Sequence, residues 1–351
     1  MRTIDADAHV IETSRTWEYM TDGAVSFRPV EVETPDGEIP EGRTQRQNQF
    51  WAIDGRLVPR ERNIGHETAR EAREMRDIDR RLAHMDDLAI DVQILYPSLF
   101  LRPLTQKAEV ELALVRGYNR WLGDIWRKGG GRLRWIALAP VRSLHDPAVV
   151  REELAEAKAN GACGIFMCGF SCDREAWTPY FHPLYAIAQD LDLAVCFHAG
   201  VDSTPVHDFF EFGDGLAKFK FPVISALHSL LLRGVPERFP GVRWGFVEAG
   251  SAWLPYVLGE LKRRFRRRGR RMSEDTLRSN NMWVACQVTE DLDYIVRWAG
   301  EGQLVVGTDY GHNDTSTEIE AMRVLRDEKK LNSSVIDRIL GANASALYGL
   351  S

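Results

Sequence analysis

From Asp77 onward the sequence alternates short apolar runs with longer segments of helical periodicity, and this alternation continues to the end of the chain. Residues 77–88 place Ile78, Leu82, Met85 and Leu88 at helical spacing, and 91–96 follow as a short buried strand stopped by Pro97. A long helix is predicted over 108–127 and a strand over 134–139; Asp146-Pro147 then opens a helix that Asn160-Gly161 closes. The runs 163–167, 193–198, 242–248, 282–286 and 304–309 read as further strands separated by helical segments. Together with the opening run 4–10 they make eight. Strands alternating with helices require a parallel sheet, because each return to the same edge needs a crossover. Eight such units close into a (β/α)8 TIM barrel, sealed by a last helix over 333–348.

Residues 25–76 break this rhythm. Pro35-Asp36-Gly37 and Asp54-Gly55 are turn signals, and 50–53 with 56–58 on either side of Asp54-Gly55 read as a hairpin. The segment is expected to be an inserted cap over one end of a single barrel domain spanning 1–351, since a long connection of this kind is usually a lid or binding loop. At 44% hydrophobic and 27% charged residues, the composition supports a sizeable core. No apolar run approaches the roughly 18 residues a membrane helix demands. The chain enters a strand at once without a basic-then-apolar leader, and its five cysteines lack C-x-x-C spacing, so a cytoplasmic location is expected. A net charge of -6 gives no reason to expect nucleic acid as a partner.

Barrels of this type carry their chemistry where strands end and the next loops begin. Asp7 and His9 lie at the end of the first run, His198 ends the fifth strand, Glu248 the sixth and Asp309 the eighth, with His312 three residues on. Because side chains alternate along a strand, Asp5, Asp7 and His9 are expected on one face; a carboxylate and an imidazole two residues apart can grip a divalent ion. His207, in the loop after the fifth strand, could reach a substrate. Cys163, Cys168 and Cys172 fit no usual zinc spacing and are read as buried thiols, and Cys196 and His228 as packed residues. The basic run 262–271 is expected to be a solvated helix face, with an anionic arm of the substrate as the sharper alternative.

These pieces, in this order, resemble the amidohydrolase-related branch of the amidohydrolase superfamily, which includes aminocarboxymuconate-semialdehyde decarboxylase and related aromatic-acid decarboxylases. The resemblance rests on I-D-A-D-A-H-V-I-E from Ile4, M-D-D-L-A-I-D-V-Q-I-L-Y-P from Met85, Y-N-R-W-L from Tyr118 and F-H-A-G from Phe197. It continues through G-V-P-E-R-F-P-G-V-R-W-G-F-V-E-A-G from Gly234, G-T-D-Y-G-H from Gly307 and I-L-G-A-N-A from Ile339. It implies one divalent metal ion held by Asp7, His9, His198 and Asp309, with zinc expected first and iron or manganese tolerated. The strand-four end, Phe166-Met167-Cys168-Gly169, has no lysine to support a binuclear centre. Glu248 stands where the resembling decarboxylases carry a histidine. The first expectation is therefore hydrolysis of an amide, ester or thioester of a small molecule by metal-activated water. Asp309 or Glu248 would take the proton and His312 or His207 would protonate the departing group. Non-oxidative decarboxylation of a small aromatic or enolic acid is the alternative. Relatives often dimerise, which makes a homodimer one possible assembly and leaves the oligomeric state open.

Overall fold

The computed structural model describes residues 2–38, 47–60, 64–65, 67–210, 215–328 and 330–350. Parts of the expected insert, residues 39–46, 61–63 and 66, lie outside the described residues. Eight parallel strands form the central sheet: β1 (Ile4–Val10), β5 (Val92–Pro97), β6 (Leu133–Leu138), β7 (Ala162–Cys168), β10 (Ala194–His198), β11 (Trp244–Val247), β12 (Met282–Cys286) and β13 (Leu304–Val306). They follow one another round the sheet in chain order, the arrangement expected of a TIM barrel. Closure comes from main-chain bonds just past the last strand: Asp309 N donates to Asp7 O at 2.9 Å, and His9 N donates to Tyr310 O at 2.8 Å. Gly307 makes this seam possible, because a Cβ there would lie 2.4 Å from Asp7 Cβ. No helix among the described residues is long and apolar enough to cross a membrane.

The insert is a three-stranded antiparallel sheet of β2 (Val30–Glu38), β3 (Gln47–Ile53) and β4 (Arg56–Pro59). The expected hairpin is present, with Ile53 paired to Arg56 and both Asp54 and Gly55 at positive φ, as a tight hairpin turn requires. Pro35-Asp36-Gly37, expected to turn, instead lies within β2, where the register against β3 shifts between Glu33 and Glu38. A second apolar cluster, centred on Trp17, Trp51, Leu99 and Leu114, ties this sheet to the barrel. Through it the cap is held over the C-terminal ends of the strands. Phe170–Ser171 (β8) and Arg174–Glu175 (β9) form a small separate hairpin after β7.

One expectation about β1 fails. The register with β5 pairs Asp5 with Gln93 but Ala8 with Leu95, so β1 holds one extra residue between them, a bulge that reverses which face its side chains take. Asp5 therefore leaves the face of Asp7 and His9. It accepts from Thr308 N at 2.9 Å, Thr308 Oγ1 at 2.6 Å and Gln93 Nε2 at 2.9 Å, and Gln93 in turn accepts from Arg81 of the helix Ile78–Asp87 at 2.6 Å. Asp5 is a staple between the first and last strands.

The final helical stretch is interrupted by a widened turn at Arg338–Ala342. The five cysteines are buried and free. The basic run begins on the helix Leu254–Arg267, which starts from the loop after β11 and descends 14 residues, about 21 Å, away from the strand ends. Glu260 pairs with Arg263 and Arg264, and Glu237 with Arg270. The run cannot reach the mouth of the barrel, so the substrate-arm alternative falls on geometry.

Candidate metal centre

Asp7, His9 and His198 meet at the mouth of the barrel, all buried. Each imidazole is oriented by a carbonyl. His9 Nδ1 lies 3.0 Å from Pro97 O and His198 Nδ1 lies 2.9 Å from Ala199 O. A carbonyl only accepts, so both Nδ1 atoms carry the proton and both Nε2 atoms present lone pairs. Those lone pairs face each other at 3.2 Å, and Asp7 Oδ1 lies 3.5 Å from His9 Nε2 and 3.3 Å from His198 Nε2. Three acceptors turned on one another in a buried site repel unless a cation lies between them. Four bonds of 2.0–2.1 Å in a tetrahedron would set donors about 3.3–3.4 Å apart. The observed spacings match, and the mouth carries a site for a divalent metal.

Asp309 extends the set. Its Oδ1 is 3.4 Å from His9 Nε2, while its Oδ2 accepts from Thr317 Oγ1 at 2.7 Å. It lies three residues beyond β13, and Glu248 one residue beyond β11, each in left-handed backbone conformation with φ of 52° and 62°. Non-glycine residues adopt that conformation at a cost of about 1–3 kcal/mol and only where surrounding structure imposes it. Here it turns both carboxylates into the mouth.

His312 stacks on His9 with ring centroids 3.8 Å apart. Ser98 Oγ donates to Val10 O at 2.8 Å and so accepts from His312 Nε2 at 2.7 Å. Ser98 is itself fixed by Glu12, whose carboxylate accepts from the amides of Ser98 and Leu99 at 3.1 and 3.0 Å. His312 Nδ1 is left 2.8 Å from Asp309 Oδ1, but the two are misaligned for a hydrogen bond and neither has another. Glu248 Oε2 is also unpartnered: it stands 3.0 Å from His198 Nδ1, whose N–H is spent on Ala199.

The electrostatics follow from burial and from this crowding. Burial would raise the Asp7 carboxyl, but His198 and His9 beside it hold it below the usual range. Burial, with His312 and His198 nearby, pushes His9 well below the ordinary imidazole value, which keeps it neutral as a ligand must be. Burial and the charges of Asp309 and Asp314 push Glu248 well up. Burial also raises Asp309. It would lower His312, but Asp309 outweighs it and holds His312 above the ordinary value. A bound dication opposes the upward shifts of the carboxylates, because it adds the largest local charge.

Two cavities adjoin the centre. One is bordered by Asp7, Glu248, Asp309, Gln287 and Thr315. The other is bordered by His312, Arg60, Arg102, Glu12 and Trp51 and runs under the cap. The structure thus brings together Asp7, His9, His198, Glu248, Asp309 and His312. His207 stands apart on the helix Thr204–Phe209, with its Nδ1 3.2 Å from Asp208. Ser98, Thr317, Asp314, Arg60 and Arg102 were missed in the sequence. Ser98 had one signal, its place directly after a strand end; the others had none.

The sequence matches the amidohydrolase family over residues 4–350. No curated protein matches it. An amidohydrolase from Mycobacterium avium subsp. paratuberculosis K-10 superposes with a TM-score of 0.79 at 19% identity, over 100% of this chain and 98% of that one. The apo IDCase of Metarhizium anisopliae gives 0.70 at 14% identity, over 99% and 97%. A 5-carboxyvanillate decarboxylase from Novosphingobium aromaticivorans DSM 12444, solved with manganese and 4-hydroxy-3-methoxy-5-nitrobenzoic acid, gives 0.69 at 18% identity, over 99% and 96%. At these identities the likenesses establish a shared fold, and the family match, which runs through every strand of the barrel, carries the assignment: the chain belongs to the amidohydrolase family.

Proposed function

We propose that this protein is a metal-dependent, non-oxidative decarboxylase of a small carboxylic acid bearing an oxygen next to the carboxylate. The observation that carries the reading is the cavity under the cap, where Arg60 and Arg102 stand with His312 beside the cation centre. An anionic substrate suits both ends of that cavity, with Arg60 held in place by Glu31 at 2.8 Å and by the Trp51 ring beneath it. The decarboxylase with manganese and a hydroxybenzoic acid analogue supports the same direction.

Asp7, His9 and His198, with Asp309 as fourth donor, are the residues we assign to the metal. Manganese is the first ion to supply and zinc the second. When bound, the ion supplies positive charge that stabilises electrons left on the substrate as carbon dioxide departs. Arg60 and Arg102 orient the acid, and Trp51 and the cap above it restrict water. The carbon that loses the carboxylate needs one proton, and His312, held above its ordinary pKa by Asp309, delivers it from Nδ1. Ser98 fixes the ring for that transfer.

The test is a panel of hydroxylated aromatic and enolic acids scored for carbon dioxide release, run beside amides, esters and thioesters scored for acid release. Carbon dioxide release that His312→Asn lowers about 10²–10⁴-fold is expected. Acid release from the acyl panel without carbon dioxide from the other would overturn the reading in favour of hydrolysis, which would use the same centre.

A further inference from the structure

Beside the assigned centre, Glu248, Asp309, His312 and Asp314 each turn one donor atom toward a common point, all within 4.8 Å of one another. In these residues, which are 8%, 2% and 4% exposed, Glu248 Oε2, Asp309 Oδ1 and His312 Nδ1 are buried without a hydrogen bond. Buried polar atoms without a partner call for one, and three fall within this one cluster. The hydrogen-bond pattern identifies its charge. Ser98 Oγ already donates to Val10 O, so it takes the proton of His312 Nε2, and in the neutral ring the lone pair of Nδ1 points at a carboxylate oxygen 2.8 Å away. Only a proton or a cation reconciles those two atoms.

Charge counting sets how much positive charge the cluster calls for. Asp7, Glu248, Asp309 and Asp314 carry four negative charges when ionised, and one dication offsets two. Lys220, which donates to Thr315 Oγ1 at 3.0 Å and Ser316 Oγ at 2.9 Å, keeps its charge and offsets a third, leaving one. Buried excess charge of that size is costly unless neutralised. The donor set is three carboxylates and one imidazole, harder than the two-imidazole centre next to it, and suits manganese, magnesium or calcium. The cavity bordered by Glu248 and Asp309 gives an ion access from solvent.

We propose that Glu248, Asp309, His312 and Asp314 form a second, weaker divalent-cation site that shares Asp309 with the first and, when filled, inhibits the enzyme. The inhibitory part rests on the function proposed above, because a cation on His312 Nδ1 occupies the atom that delivers the proton. Binding itself does not rest on it.

The experiment titrates the metal-depleted full-length protein with Mn²⁺ alone, counting bound ion by equilibrium dialysis and following the electron paramagnetic resonance signal. Two equivalents are expected, the second at least tenfold weaker, with spin coupling between the ions once both are bound. Asp314→Asn, at a half-buried position away from the first centre, is expected to keep one tight equivalent and lose the second together with the coupling. Activity on the identified acid should rise with the first equivalent and fall with the second in the wild type, and only rise in Asp314→Asn. One equivalent at millimolar Mn²⁺, or two retained by Asp314→Asn, overturns the site. Two equivalents without inhibition overturn the inhibitory role and leave the site. Failure of carbon dioxide release with two equivalents bound counts against the proposed reaction, not against the second ion.

Discussion

Replacing Gly307 with alanine tests whether the barrel seam sets the metal centre. The new Cβ would lie 2.4 Å from Asp7 Cβ, 2.9 Å from its nitrogen and 3.0 Å from its Cα, whereas ordinary contact begins at 3.4 Å. The crowded atoms are backbone and Cβ, which have no rotamer by which to escape. Asp7 must therefore retreat by about 1 Å, a displacement that costs on the order of 100-fold in rate when it falls on an aligned group. Overpacking of this size costs about 1–3 kcal/mol. With about 2.1 cal/mol/K per residue, a chain of 351 residues unfolds with roughly 0.7 kcal/mol/K, so Tm should fall by only about 1–4 °C. The variant should thus remain folded while losing metal affinity about 10–100-fold, as displaced ligand support does elsewhere. Calorimetry and Mn²⁺ titration, run beside Gly302→Ala, where nothing lies within 4 Å of the added Cβ, provide the readout. If Gly307→Ala melts lower yet binds metal and turns over like the wild type, the seam does not position Asp7 and the reasoning fails.

Ser98→Ala removes the acceptor that fixes the His312 ring and should lower turnover about 10-fold with Tm nearly unchanged; unchanged turnover would show that the ring is held by stacking on His9 alone. Burial pushes the Glu111 carboxyl up to about 7 against the pull of Arg142. A raised folded-state value means stability present below the unfolded value of 4.5 and lost as pH rises through 7, on the order of 3 kcal/mol at most. Glu111→Gln should flatten that slope in denaturant unfolding at pH 4.5, 6 and 8, and a slope equal to the wild type's would locate the pH dependence elsewhere. Chelation of the bound ion should abolish activity and lower Tm by about 6 °C if free metal had stood at 1,000 times its Kd; activity that survives chelation would remove the metal from the reaction. Arg266→Ala with Arg267→Ala should leave KM unchanged, because the basic run lies at the far end of the barrel from the cavities; a raised KM would contradict that placement.

The eight strands were legible because each is a buried apolar run bounded by Pro, Gly or a charged turn, and burial on both faces leaves little else to choose. Strand ends were legible for the same reason, which is why His9, His198, Glu248, Asp309 and His312 could be picked out before any coordinates. The parity of β1 was not. Alternation assumes a regular pleat, and nothing in Ile4-Asp5-Ala6-Asp7-Ala8 announces the bulge that sends Asp5 to Thr308. Pro35-Asp36-Gly37 misled in the opposite direction, since β2 absorbs these residues where its register against β3 shifts between Glu33 and Glu38. Ser98, Thr317 and Asp314 act through loops that meet only in three dimensions, and small polar residues in loops are too common to signal such a role. His207 shows the converse: a histidine in the right loop whose helix aims it at Asp208.

The seam between the first and last strands also sets a timetable for synthesis. Asp7 emerges from the ribosome roughly 300 residues before Asp309, which at about 5–20 residues per second is a wait of some 15–60 seconds. During that interval β1 can pair with β5 but has an open edge on its other side, and the nascent chain presents Asp7 and His9 without the carboxylate that completes their set. The full donor set therefore reports a completed ring of strands, and a chain stalled before the eighth strand would keep the outer edge of β1 open.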